Sequence, residues 1–194
     1  MTRGLPEWQP FELEPADPFP LELSGMTGSS LALLAAPSVS ASGWAARAAA
    51  RIASQRAARN GRLVLADLDL GNPRLHRELG AENGEGVSDT ILFGASLPRV
   101  GRLVDPGFVF IPAGTAVADP ARVLASPFWE RLVAGFESAG AELFLFVPWS
   151  IAGRDDLLAR VWNLVVLADR SEVERLDLPE IPGLRVGAVL GPGP

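Results

Sequence analysis

Two stretches of this sequence hold residue types that could do phosphate chemistry. The first is "PSVSASG", residues 37–43, between the apolar run "LALLAA" and a segment rich in alanine and arginine. A tight loop of small residues between a strand and a helix lets backbone N–H groups approach an anion, and the helix N-terminus adds free donors of its own. The second is Asp67-Leu68-Asp69, where the run "LVLAD" ends. Carboxylates at the carboxyl end of a strand stand where α/β folds bind ligands, and such an acid can order Mg²⁺ or its waters beside phosphates. The blander use of Asp67 and Asp69 is to hold loop N–H groups or to cap the next short helix.

These residues need elements to position them. Apolar runs at 31–36, 63–67, 108–113, 143–147, 164–169 and 185–190 are continuous rather than alternating. That pattern suits strands buried on both faces of a mainly parallel sheet. Helical segments are expected near 44–59, 121–139 and 155–161. The alternation argues for a three-layer α/β fold with right-handed crossovers. On the helix 44–59, Ala48, Ala49, Ile52 and Ala53 can pack on a sheet, while Arg47, Arg51, Arg56 and Arg59 form a solvated basic face. Residues 1–24 are proline-rich and acidic, with Trp8, Phe11 and Phe19 as lone aromatics. They are expected to form a loosely packed arm, and 25–194 a single domain. Trp129 and Trp162 are expected to be helix residues facing the core.

Composition removes several classes of function. All 17 basic residues are arginine; the chain has no lysine, tyrosine or cysteine and a single histidine, His76. Disulfides and thiolate metal sites are therefore excluded, and one histidine is a poor metal site. His76 is read as a surface or helix-packing residue. The net charge of −6 gives no basic footprint for nucleic acid. No apolar run approaches the roughly 20 residues of a membrane helix, and the N-terminus lacks the core of a secretory signal. The expected location is the cytoplasm.

The stretch "VLADLDLGNPRLHRELG" resembles the second motif of the capsular and exopolysaccharide tyrosine autokinases, of the MinD/ParA group of P-loop ATPases. "GEGVSDTILFGASL" (84–97), "VFIPAGTAVADPARVLASPFWERLVAGF" (109–136) and "GLRVGAVLG" (183–191) resemble later stretches of that family in the same order. The resemblance implies a P-loop NTPase-like fold, a nucleotide site at 37–45 and 67–69, and work in polysaccharide assembly or export.

The departures from the family bear on activity. The family's first motif ends Gly-Lys-Ser/Thr; the lysine meets β- and γ-phosphate charge and the hydroxyl binds Mg²⁺. Aligned on Gly43, after Ser42, this sequence has Trp44 and Ala45 there. The third motif's aspartate aligns with Phe146, and an autophosphorylated tyrosine cluster is impossible without tyrosine. Arg47, one helical turn beyond Gly43, could fork onto a phosphate, which leaves room for weak anion or nucleotide binding but for no required cofactor. The leading expectation is a pseudoenzyme that serves as a scaffold. Its partner would be an active relative, a membrane-spanning assembly protein or a second copy of itself. That partner would hold the chain peripherally at the inner membrane. Trp8, Phe11 and Trp149 are its candidate contacts, with Trp44 a further exposed aromatic. Two alternatives stand beside it: a noncanonical Mg²⁺-nucleotide ATPase or tyrosine-kinase-like enzyme using Asp67, Asp69 and an arginine, and a pilus- or partition-type MinD-like regulator.

Overall fold

The continuous apolar runs become the centre of an eight-stranded sheet. A computed structural model describes residues 5–13, 28–104, 107–178 and 180–193. In chain order the strands are β1 (Trp8–Pro10), β2 (Ser30–Ala35), β3 (Leu63–Asp67), β4 (Arg102–Val104), β5 (Phe108–Ile111), β6 (Glu142–Pro148), β7 (Asn163–Leu167) and β8 (Arg185–Gly191). They lie side by side in the order β1-β8-β7-β2-β6-β3-β5-β4. Every pairing is parallel except β4 with β5. All residues of β2, β3 and β7 are buried, as a sheet covered on both faces requires. The α/β architecture read from the sequence is thus the observed one.

Helices α1 (Pro37–Ala41), α2 (Trp44–Asn60), α3 (Leu75–Glu78), α4 (Val87–Phe93), α5 (Leu97–Val100), α6 (Pro120–Leu124), α7 (Phe128–Ser138) and α8 (Arg154–Leu158) connect the strands. Helix α2 lays Ala45, Ala48, Ala49, Ile52 and Ala53 against the core with essentially no exposure. Its arginines are not uniformly solvated. Arg47 is exposed, but Arg56 forks onto Glu142 at the start of β6, Nε donating to Oε2 at 2.7 Å. The helix expected over 121–139 is two. Pro127 supplies no N–H and disfavours helical geometry in the residue before it, so α6 stops and α7 starts afresh. Trp129 fills the core from α7 and donates through Nε1 to the Val123 carbonyl at 2.9 Å. Trp162, expected on a helix facing the core, instead stands between α8 and β7 and is 44% exposed.

The N-terminal segment departs most from expectation. Residues 8–10 add a parallel strand to β8, and the Phe11 N–H donates to the Gly191 carbonyl at 2.8 Å. Without them β8 would present an open edge of unpaired peptide groups. Phe11 is buried, edge-on to the Trp44 ring at 6.4 Å between centroids. Trp8 is half-buried, donates through Nε1 to the Ala168 carbonyl at 3.0 Å, and carries the Arg170 guanidinium over its ring. The reading of Phe11 and Trp44 as exposed anchors for a partner therefore gives way, since both rings are buried inside the chain, and the half-buried Trp8 is partly engaged by Ala168 and Arg170. Residues 14–24 of the expected arm, Phe19 among them, lie outside the described residues.

No helix among the described residues is long and apolar enough to cross a membrane.

Candidate functional site

The carboxyl ends of β2, β6 and β3 lie side by side and bring the two sequence stretches together. The register sets Asp67 beside Phe146, and Phe146 beside Leu33. Phe146 is a buried core residue of a central strand, with no route to solvent chemistry.

The segment 37–43 is not an open loop. Pro37 stands in the first turn of α1, where its fixed φ suits a helix and its missing N–H costs nothing. The backbone then closes on itself: Ser40 N–H donates to the Ala36 carbonyl, Ser42 N–H to Ser38, and Gly43 N–H to Ser40, all at 3.0–3.1 Å. Both the N–H (3.2 Å) and the hydroxyl of Ser38 donate to the Glu172 carboxylate. The Ser42 hydroxyl donates to the Val39 carbonyl at 3.1 Å and accepts from the Trp44 N–H at 3.3 Å. Gly43 turns the chain between the two helices at φ +78°, a conformation that favours glycine. Trp44 and Ala45, the first residues of α2, are both buried.

A cation does stand here. Arg74, from "GNPR", reaches back over this segment and donates through Nη1 to the Ala41 carbonyl at 2.9 Å and the Ser40 carbonyl at 3.4 Å. Its guanidinium thus caps the C-terminal carbonyls of α1.

The two acids differ. Asp67 is fully buried; Oδ1 accepts from the Asp69 N–H at 2.9 Å, while Oδ2 has no hydrogen-bond partner. Burial pushes its carboxyl up from the ordinary 3.8 to about 7. The Asp69 N–H and, more weakly, the Leu75 N–H act against that shift, and the Asp69 charge adds to it. Asp69 is half-buried and accepts from the Asn72 N–H at 3.0 Å. Burial raises its pKa too, against the Asn72 N–H and the nearby Arg74 charge. His76, half-buried on α3, is held below its ordinary pKa by burial and then by Arg77. Among the described residues no group of three or more His, Asp or Glu could hold a metal ion.

A second knot lies at the end of β5, which neighbours β3. Asp89 accepts from the Gly86 N–H (2.8 Å), the Thr115 N–H (3.0 Å) and the Thr115 hydroxyl (2.7 Å). Burial alone would raise its pKa; the Thr115 and Gly86 donors outweigh that and hold it below the ordinary value. A Cβ on Gly86 would come 2.0 Å from the Pro112 carbonyl oxygen, so only glycine fits. In the sequence this pair stands as "GEGVSD" and "PAGT", where no spacing marks Asp89 apart from its neighbours.

Trp149 follows β6 on the same rim of the sheet. It is half-buried, with the Arg154 guanidinium 4.8 Å above its ring and Arg154 Nη1 donating to its carbonyl at 2.9 Å. An open hollow of about 400 Å³ adjoins both. Of the three partner candidates read from the sequence, Trp149 and Trp8 are both half-buried, and Trp149 lines this hollow.

No family model and no curated protein sequence matches the chain. Its fold is shared with solved structures. The VpsO kinase domain aligns at TM-score 0.68 and 18% identity, over 86% of each chain. The kinase domain of the Escherichia coli tyrosine kinase ETK aligns at TM-score 0.68 and 14% identity, over 89% of this chain and 69% of that one. A ParA family ATPase from Chlorobium tepidum aligns at TM-score 0.59 and 13% identity, over 84% and 73%.

Proposed function

We propose that this chain is a catalytically inactive member of the MinD/ParA-like architecture that works as a protein-binding scaffold. The observation that carries the reading is the closed backbone of 37–43. A phosphate cradle needs N–H groups aimed at a common point. Here those of Ser40, Ser42 and Gly43 bond within the segment, and that of Ser38 is held by Glu172. Trp44 and Ala45 offer neither a cation nor a hydroxyl, Arg74 is committed to the carbonyls of α1, and Phe146 gives no third acid. The residues present do not fit a Mg²⁺-nucleotide. Burial raises the Asp67 carboxyl to about 7, so at neutral pH it is partly protonated and a weaker cation ligand than an ordinary carboxylate.

The resemblance to the polysaccharide autokinases supports a role beside polysaccharide assembly or export at the inner face of the membrane. The partner is an active relative, a membrane-spanning assembly protein or a second copy, with Trp149 as a contact.

One observation favours a second reading, a noncanonical Mg²⁺-nucleotide enzyme: the partnerless Asp67 Oδ2 is an oxygen that a cation could use. A phosphate-release assay with Mg²⁺-ATP separates the two. The scaffold reading expects no turnover above background, and no change on replacing Asp67 by Asn. Turnover that Asp67→Asn abolishes would establish the enzyme instead.

A further inference from the structure

The crossover from β7 to β8 runs over residues 168–184, and its described part holds only a three-residue 3-10 turn, Val173–Arg175. A parallel crossover ordinarily lays a helix on the sheet, which covers the apolar face beneath it. Here the irregular chain leaves a cleft of about 870 Å³ against that face. Its floor is Leu164 of β7 and Leu158 of α8, both fully buried, and its accessible apolar lining is the half-buried Val186 of β8 with Leu176 and Leu184 of the crossover. Among the described lining residues, the exposed acids are Glu174, Asp177 and Glu180, and the one arginine is Arg185. The cleft reaches the first residues of β7 and β8, whereas the 37–43 segment and Asp67 lie at the carboxyl ends of the strands.

We propose that this cleft receives an amphipathic helix of a partner protein, its apolar face inward and its flanks carrying arginine or lysine. The occupant would take the place of the missing crossover helix. The groove lies on a sheet face, and the neighbouring edge of β8 is already paired with β1, which favours a helix over an added strand. The rim charge calls for a basic partner. A second copy of this chain is a poor occupant. It carries a net charge of −6, and its arginine-rich helix α2 spends its apolar residues on its own sheet. The chain's own residues 14–24 include Glu14, Asp17 and Glu22, the same sign as the rim. This inference rests on the scaffold reading and gives it a surface and a partner chemistry. Phosphate release tests the site at the other end of the strands, so either idea can fail alone.

The test uses the full chain and a fluorescein-labelled helical peptide of about 18 residues built from leucine and lysine, with a leucine–glutamate peptide as its counterpart. Anisotropy titration is expected to show saturable binding of the lysine peptide, at least tenfold weaker for Glu174→Lys/Asp177→Lys/Glu180→Lys. Reversing three acids elsewhere (Glu78→Lys/Glu82→Lys/Glu137→Lys) should leave binding unchanged, which separates the cleft from general charge attraction. Val186→Asp, checked for folding by circular dichroism, should weaken binding through the apolar side. No binding of the lysine peptide, equal binding of the glutamate peptide, or equal losses from the two triple reversals would overturn the proposal. Concentration-dependent self-association of the unliganded chain that the rim reversal abolishes would also overturn it, by making the occupant a second copy.

Discussion

Replacing Asp67 by asparagine should stabilise the protein at alkaline pH and cease to do so in acid. The buried carboxyl holds its proton to about pH 7 in the folded chain and releases it at the ordinary 3.8 when unfolded. Between those values the folded state binds more protons than the unfolded state, so this group lowers stability as pH rises from about 4 to 7. Above 7 the full cost applies, about 4 kcal/mol for a shift of roughly three units at 1.36 kcal/mol each. Asparagine can still accept from the Asp69 N–H through its carbonyl, but it sets an NH₂ where Oδ2 has no partner. An unpaired buried donor costs about 1–3 kcal/mol. The neutral aspartic acid carries an unpaired O–H at the same place, so the expected balance is a gain of up to about 4 kcal/mol at pH 8 that shrinks to within about 1 kcal/mol of zero near pH 4, where the aspartic acid is already neutral. Urea unfolding of both proteins at pH 4, 6 and 8 reads the difference directly, and the comparison cancels every other titrating group. A difference that stays constant with pH, or a variant less stable at pH 8, would refute a pKa raised by burial at Asp67.

Other variants probe other parts of the structure. Phe11→Ala should cost about 3–5 kcal/mol of unfolding free energy, since it empties a buried site against Trp44; a melting temperature unchanged within a degree would mean that the N-terminal strand is dispensable. Asp89→Asn should lose about 1–3 kcal/mol at pH 7, because three donors meet a weaker acceptor. Its loss should fade in acid: a carboxylate with depressed pKa stabilises above the ordinary value and loses that contribution as pH falls through its folded pKa. Trp44→Lys with Ala45→Ser should lower thermal stability by burying an ammonium beside Phe11, and should not produce ATP binding in a filter assay, because the 37–43 backbone stays closed.

What the sequence made legible was what long, one-sided patterns carry. The six apolar runs stand out because a doubly covered strand needs no polar face, and α2 stands out through its alanine spacing and length. Strand β1 was hidden because three residues, one of them proline, carry no period, and because its partner lies some 180 positions away at Trp8↔Val189. The burial of Trp44 was hidden for the same reason, since the ring that packs on it comes from the N-terminus. Asp67 and Asp69 were legible as acids at a strand end. Which of their oxygens would be left without a donor was not, for that depends on where the loop amides of Asp69 and Asn72 point. The helical closure of 37–43 is local, but the partner that holds the Ser38 N–H, Glu172, comes from another crossover altogether.

Titration calorimetry with millimolar Mg²⁺-ATP and Mg²⁺-ADP bears hardest on the proposed lack of nucleotide chemistry. The closed segment, the committed Arg74 and the raised pKa of Asp67 lead the proposal to expect a dissociation constant no tighter than about a millimolar, or about 4 kcal/mol of binding free energy. Micromolar affinity that depends on Mg²⁺ would contradict it.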